Sequence, residues 1–75
     1  MNFTARVENW HTYQRVSRTT QKRESYLCGE FYGHPNMLDG TISNTSHIVE
    51  SQDGYVKTYS GSVYLLGKHK PNQEL

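Results

Sequence analysis

One cysteine, Cys28, is all the thiol in this sequence, so no disulfide can close within the chain. The stapled secreted scaffolds common at this size are thereby excluded. Proline is scarce, with only Pro35 and Pro71, which leaves long stretches free to enter hydrogen-bonded ladders. Nowhere do about 18 apolar residues follow one another, so no membrane-spanning helix is expected. The opening MNFTARVENW has no cationic start followed by an apolar run, so no secretory leader is expected. Charge of one sign is not in excess either: eight Lys and Arg meet seven Asp and Glu, for a net +1. That balance gives no global electrostatic case for a polyanionic partner or an anionic membrane. The cytoplasm is the expected location.

Apolar residues are also thin on the ground, at 33% of 75 residues. A chain this short makes one domain with a marginal core. The domain is expected over residues 1–67, followed by a polar, frayed tail at 68–75. Self-association is expected to add stability, so a homo-oligomer is anticipated.

What is present is alternation. NFTARVE places Phe3, Ala5 and Val7 on one face of a strand and Thr4, Arg6 and Glu8 on the other. The alternation slips before Tyr13 and Val16, which a bulge near Asn9 to His11 explains, with a short helical turn as the competing reading. The polar TTQKRE suits an exposed hairpin loop. SYLCGEFYG then sets Leu27, Gly29 and Phe31 against Tyr26, Cys28, Glu30 and Tyr32, and Gly29 marks a bulge or a close backbone approach. His34-Pro35 and Asp39-Gly40 bound a surface loop. In TISNTSHIVE, strict alternation puts Thr41, Ser43, Thr45, His47 and Val49 on one face. Asp53-Gly54 suits a two-residue type I′ turn, which pairs Gln52 with Tyr55, Glu50 with Lys57 and Ile48 with Tyr59. YVKTY and SVYLLG follow, joined at Ser60-Gly61. The fold class expected is mostly β: about five short antiparallel strands forming a small barrel or a strongly bent sheet. Closure is favoured because it removes edges that an open sheet would have to protect.

The residues that could carry chemistry are dispersed. Four histidines, His11, His34, His47 and His69, sit on separate segments without a zinc spacing, and no second cysteine completes a closed site, so no metal is expected. No nucleophile elbow, phosphate loop or paired acids appear, so neither catalysis nor a cofactor is expected. Binding is the better reading. The candidate surface comprises Tyr32, His34, Thr45, Tyr55 and Tyr59, because tyrosine combines large contact area with small entropy loss at interfaces. A local basic segment, Arg15, Arg18, Lys22 and Arg23, offers the alternative of nucleic-acid binding, with exposed aromatics as stacking platforms.

The segments YGHP, LDGTISNTSHI and VKTYSGSVYLLG, between Tyr32 and Gly67, resemble the short orphan β proteins carried by phages and prophages. That resemblance implies a stoichiometric role of the anti-CRISPR or other anti-defence kind, with no binding residue carried over. Its partner would be a host protein, in the host cell cytoplasm. A nucleic acid, or a signalling nucleotide held by an oligomeric sponge, is the alternative.

Overall fold

The structure, a computed structural model, describes residues 3–71. Five strands follow in order: β1 (Ala5–Val16), β2 (Arg23–Tyr32), β3 (Thr41–Gln52), β4 (Tyr55–Thr58) and β5 (Val63–Leu66). They close a barrel in sequence order, as the alternation led one to expect. Consecutive strands pair antiparallel, and the closing β1–β5 seam is parallel. An odd number of strands in a meander dictates this, since the first and last then run the same way. No helix long and apolar enough to cross a membrane occurs among the described residues.

The strands of 12, 10 and 12 residues that begin the chain are longer than expected, and bulges bend them. Glu8 faces Glu30 and then His11 faces Cys28, so β1 carries one extra residue at Asn9 and Trp10. Asn9 adopts φ 49°, a left-handed conformation that asparagine tolerates. The bulge is where the sequence placed it, and Gly29 lies against it. A Cβ on Gly29 would come within 2.6 Å of Val7 Cγ1, 2.9 Å of the Glu8 carbonyl oxygen and 3.0 Å of Trp10 Cα.

Two further bulges lie on β3. Tyr26 faces His47 while Cys28 faces Asn44, so Thr45 and Ser46 together oppose Leu27. The Leu27 N–H donates there to Thr45 Oγ1 at 3.2 Å, a side chain taking the place of a ladder carbonyl. This bulge breaks the single Thr/Ser/His face read from the alternation: Ser43 pairs with buried Gly29, and His47 with outward Tyr26. The third bulge, at Val49, shifts the register of the β3–β4 hairpin. Gln52–Tyr55 and Glu50–Lys57 pair as expected, but Ile48 faces Thr58 instead of Tyr59. Only Gly54 of the two turn residues has positive φ, at 92°, which is the sign pattern of a type II turn and not of type I′. The Gly54 carbonyl accepts from the Leu66 N–H at 2.8 Å, which ties this turn to β5.

Inside, Ala5, Val7, Leu27, Phe31, Val56 and Tyr64 form the buried core, with Trp10, Met37, Ile48 and Leu66 packed around it. Phe31 and Tyr64 meet edge to face at 5.4 Å, the favoured arrangement for two rings. Residues 33–40 fold back to stopper one end with Met37. That loop is fixed by Gly33 N–H to Asp39 Oδ1 at 2.9 Å and Gly40 N–H to the Phe31 carbonyl at 2.8 Å.

Gly67 and residues 68–70, the first part of the expected tail, run beside β1 beyond the barrel seam. Gly67 N–H donates to Val7, Trp10 N–H to Lys68 and Lys70 N–H to Trp10, at 2.9, 3.2 and 2.8 Å. The Trp10 indole N–H reaches the Gly67 carbonyl at 3.0 Å, and its ring meets His69 edge-on at 4.4 Å. The rest of the tail, residues 72–75, lies outside the described residues.

Gly29→Ala tests the bulge. The added methyl meets backbone on two of its three sides, which must shift, so unfolding in urea should show a loss of about 1–3 kcal/mol.

Candidate functional site

The three bulges turn a set of side chains onto one outer face of the barrel. On β1, His11, Tyr13 and Arg15 point outward, opposite Cys28, Tyr26 and Glu24 on β2. Across β3 they continue to Asn44 and His47, and Tyr59 follows from the turn after β4. Four aromatic rings are thereby gathered from four segments. Tyr13 and Tyr26 stack at 5.5 Å and 19°, and His47 and Tyr59 stack at 4.8 Å and 28°.

Polar contacts hold this strip in place. Tyr13 donates its hydroxyl hydrogen to Asn44 Oδ1 at 3.2 Å. His47 Nδ1 lies 3.3 Å from Glu24 Oε2, and the Tyr59 N–H donates to the His47 carbonyl at 2.8 Å. Tyr59 is 73% exposed even so. A large aromatic ring is therefore held at the surface in one orientation.

The five residues singled out from sequence are spread around the barrel and do not converge. Tyr59 is in the strip. Thr45 sits in the β3 bulge, its hydroxyl committed to Leu27 and Ser46. His34 sets the end loop, with Nδ1 accepting the Asn36 N–H at 3.0 Å and its ring parallel to Tyr64 at 6.5 Å. Tyr55 donates to Glu50 Oε2 at 3.3 Å, beside Phe3. Tyr32 lies under the Arg6 guanidinium, 4.8 Å from ring centre, on the far side of the Glu8–Glu30 pair.

The basic residues do share a place. Arg15, Arg18, Lys22 and Arg23 are all exposed around the tip of the β1–β2 hairpin. The tip is closed by Ser17 N–H to Lys22 and Gln21 N–H to Ser17 at 2.8 and 2.9 Å, with Gln21 at φ 61°. No ion pair engages these cations among the described residues.

Sequence reasoning missed Tyr13, Tyr26, His47 and Asn44 as a group. The signal for them lies in the register, where one bulge moves His47 to the outer face and another delivers Tyr59 to it.

At the other end of this face, Glu8 and Glu30 stand directly opposite each other, a costly arrangement for like charges. It is relieved on both sides. Arg6 Nε lies 2.9 Å from Glu8 Oε2, and the Lys68 N–H donates to Glu8 Oε1 at 2.7 Å. Gly67 leaves room for that carboxylate, onto which a Cβ there would project. Glu30 accepts from Asn9 Nδ2 at 2.8 Å and from the Tyr32 hydroxyl at 3.0 Å. These two bonds, the Asn9 one foremost, hold the Glu30 carboxyl below its ordinary pKa. The same bond to Glu30 pushes the Tyr32 hydroxyl above its ordinary value.

Between the bulge and residues 70–71 a cleft of about 310 Å³ opens, lined by His11, Cys28, Glu30, Ile42, Lys70 and Pro71. Nδ1 of His11 is shut off from solvent and has no hydrogen-bond partner. Among the described residues no three His, Cys, Asp or Glu side chains are grouped to hold a metal ion. Comparison of the chain with protein-family models, curated proteins and solved structures finds no match.

The depressed Glu30 carboxyl sets a sign for acid stability. Its contribution is complete above the ordinary value of 4.5 and is lost as pH falls through the lower folded value. Urea titrations from about pH 5 down to about pH 3 should show a steeper loss of stability in the wild type than in Glu30→Gln, which keeps the acceptor but does not titrate.

Proposed function

We propose that this protein is a non-catalytic, inhibitor-like binding module that acts stoichiometrically on a protein partner in the cytoplasm. The observation that carries the reading is Tyr59, 73% exposed yet stacked on His47 and tied to it through the backbone. A pre-positioned aromatic loses little freedom on binding, which is the property of an interface anchor. The strip combines aromatic rings with the hydroxyl, amide and imidazole groups of Tyr13, Asn44 and His47, which suit the mixed apolar and polar contacts of a protein surface. Self-association belongs to the same reading, because so small a core gains from a second copy. The resemblance to small phage proteins of the anti-defence type supports a host protein as partner.

One observation favours a second reading. Arg15, Arg18, Lys22 and Arg23, without an ion pair among the described residues, stand exposed on one hairpin tip, which suits contact with phosphates.

Affinity capture from host lysate, with and without nuclease, separates the two. A protein partner should survive nuclease and raised salt, and Tyr59→Ala should cost about 2 kcal/mol or more of binding. The same variant should leave the melting temperature unchanged, since the ring contributes little to the core. Loss of the partner with nuclease, and in the Arg18, Lys22 and Arg23 to Gln triple variant, would favour the nucleic-acid reading instead.

A further inference from the structure

The cleft beside the β1 bulge has a charge arrangement that no ion pair among the described residues completes. Glu30 lines it from β2 and Lys70 from the segment alongside β1, while Cys28, Ile42 and Pro71 supply apolar wall. Among the described residues Glu30 and Lys70 form no ion pair with each other or with any other charged group. Each Glu30 oxygen accepts one hydrogen bond, from Tyr32 or from Asn9, and a carboxylate has about four acceptor positions, so further donors can be received. The volume of about 310 Å³ stands at the lower end of the range of about 300–1,000 Å³ typical of small-ligand sites.

Charge decides the class of ligand. A phosphate or nucleotide would face the Glu30 carboxylate, and a simple amine would face the Lys70 ammonium. A molecule bearing both charges meets both walls favourably. We propose that this cleft binds a small zwitterion with a short apolar body, of the aliphatic α-amino acid class. Glu30 bonds its ammonium, Lys70 its carboxylate, and Ile42, Cys28 and Pro71 receive its side chain. His11 contributes a further polar group at the wall. No hydrogen bond ties its buried Nδ1, and a half-turn about Cβ–Cγ exchanges that nitrogen with a ring carbon, so the ring can turn Nδ1 toward a bound ligand.

The cleft adjoins the aromatic strip at His11, but Tyr59 does not line it, so its test can be read separately. The full chain is titrated with L-leucine, with isoamylamine, which lacks the carboxylate, and with isocaproate, which lacks the amine. Binding is followed by amide NMR. Leucine should move the resonances of Cys28, Gly29 and Ile42, and each analogue should bind about tenfold more weakly, having forfeited one charged hydrogen bond. Lys70→Met should bring leucine to the level of isoamylamine, and Glu30→Gln to that of isocaproate. Lys70 is exposed and bonds to Trp10 only through its backbone, so its variant keeps the test decisive if Glu30→Gln disturbs the bulge. Tyr59→Ala should leave leucine binding unchanged. The proposal is overturned if leucine at about 10 mM moves none of these resonances, if the three compounds bind alike, or if Lys70→Met binds leucine as the wild type does.

Discussion

Where β1 bulges at Asn9 and Trp10, its backbone presses against Gly29 so closely that a single methyl would not fit between the two strands. Much of the molecule follows from that contact. The extra residue re-aims β1, so that beyond it His11, Tyr13 and Arg15 point outward. Asn9, turned into the left-handed region, extends its amide to Glu30. Trp10, displaced beside it, bonds residues 67–70 through its main chain and its indole nitrogen. Bulges sharpen strand twist, and three of them allow five strands to curl into a closed barrel.

The closed barrel divides labour between its two surfaces. Its interior is small, led by Phe31, Leu27, Val7 and Val56, and the loop carrying Met37 stoppers it. On the outside, polar and aromatic groups are held by bonds among themselves. The Glu8–Glu30 opposition is neutralised by four separate partners, and the aromatic strip is cross-tied by Asn44 and Glu24. An outer face cross-tied in this way leaves its side chains little freedom to lose.

Period-two alternation made the strands legible, because one buried face leaves its mark on every second residue. Ala5 and Val7, and Leu27, Gly29 and Phe31, point inward as that pattern requires. The first bulge was legible too, since it falls within a patterned stretch and interrupts it. The bulges on β3 were not. TISNTSHIVE alternates polar residues with polar residues around Asn44 to His47, so a slip of one position leaves no trace in the pattern. Because the face of every later residue depends on that slip, His47 and Tyr59 could not be joined to Tyr13 and Tyr26. The turn at Asp53-Gly54 had the expected length and another type, because its conformation answers to Leu66, twelve residues further on. The basic hairpin tip could be read because its residues are adjacent in the chain.

The parallel seam and the segment beyond it join residues far apart in sequence, with bonds linking Trp10 to Gly67 and Glu8 to Lys68 across separations of 57 and 60. During synthesis, therefore, the β1–β2 and β2–β3 hairpins can assemble as they emerge, while the open edge of β1 waits for its partner until nearly all of the described chain has been made. Folding of this topology is governed by a late, long-range closure, and the exposed β1 edge is where a nascent chain would pair wrongly with a neighbour. Pro71 bears on the same hazard at the other end of the process. It follows Lys70, whose N–H faces β1, so the position it occupies turns its backbone nitrogen away from β1, and having no hydrogen there it offers no donor to another strand.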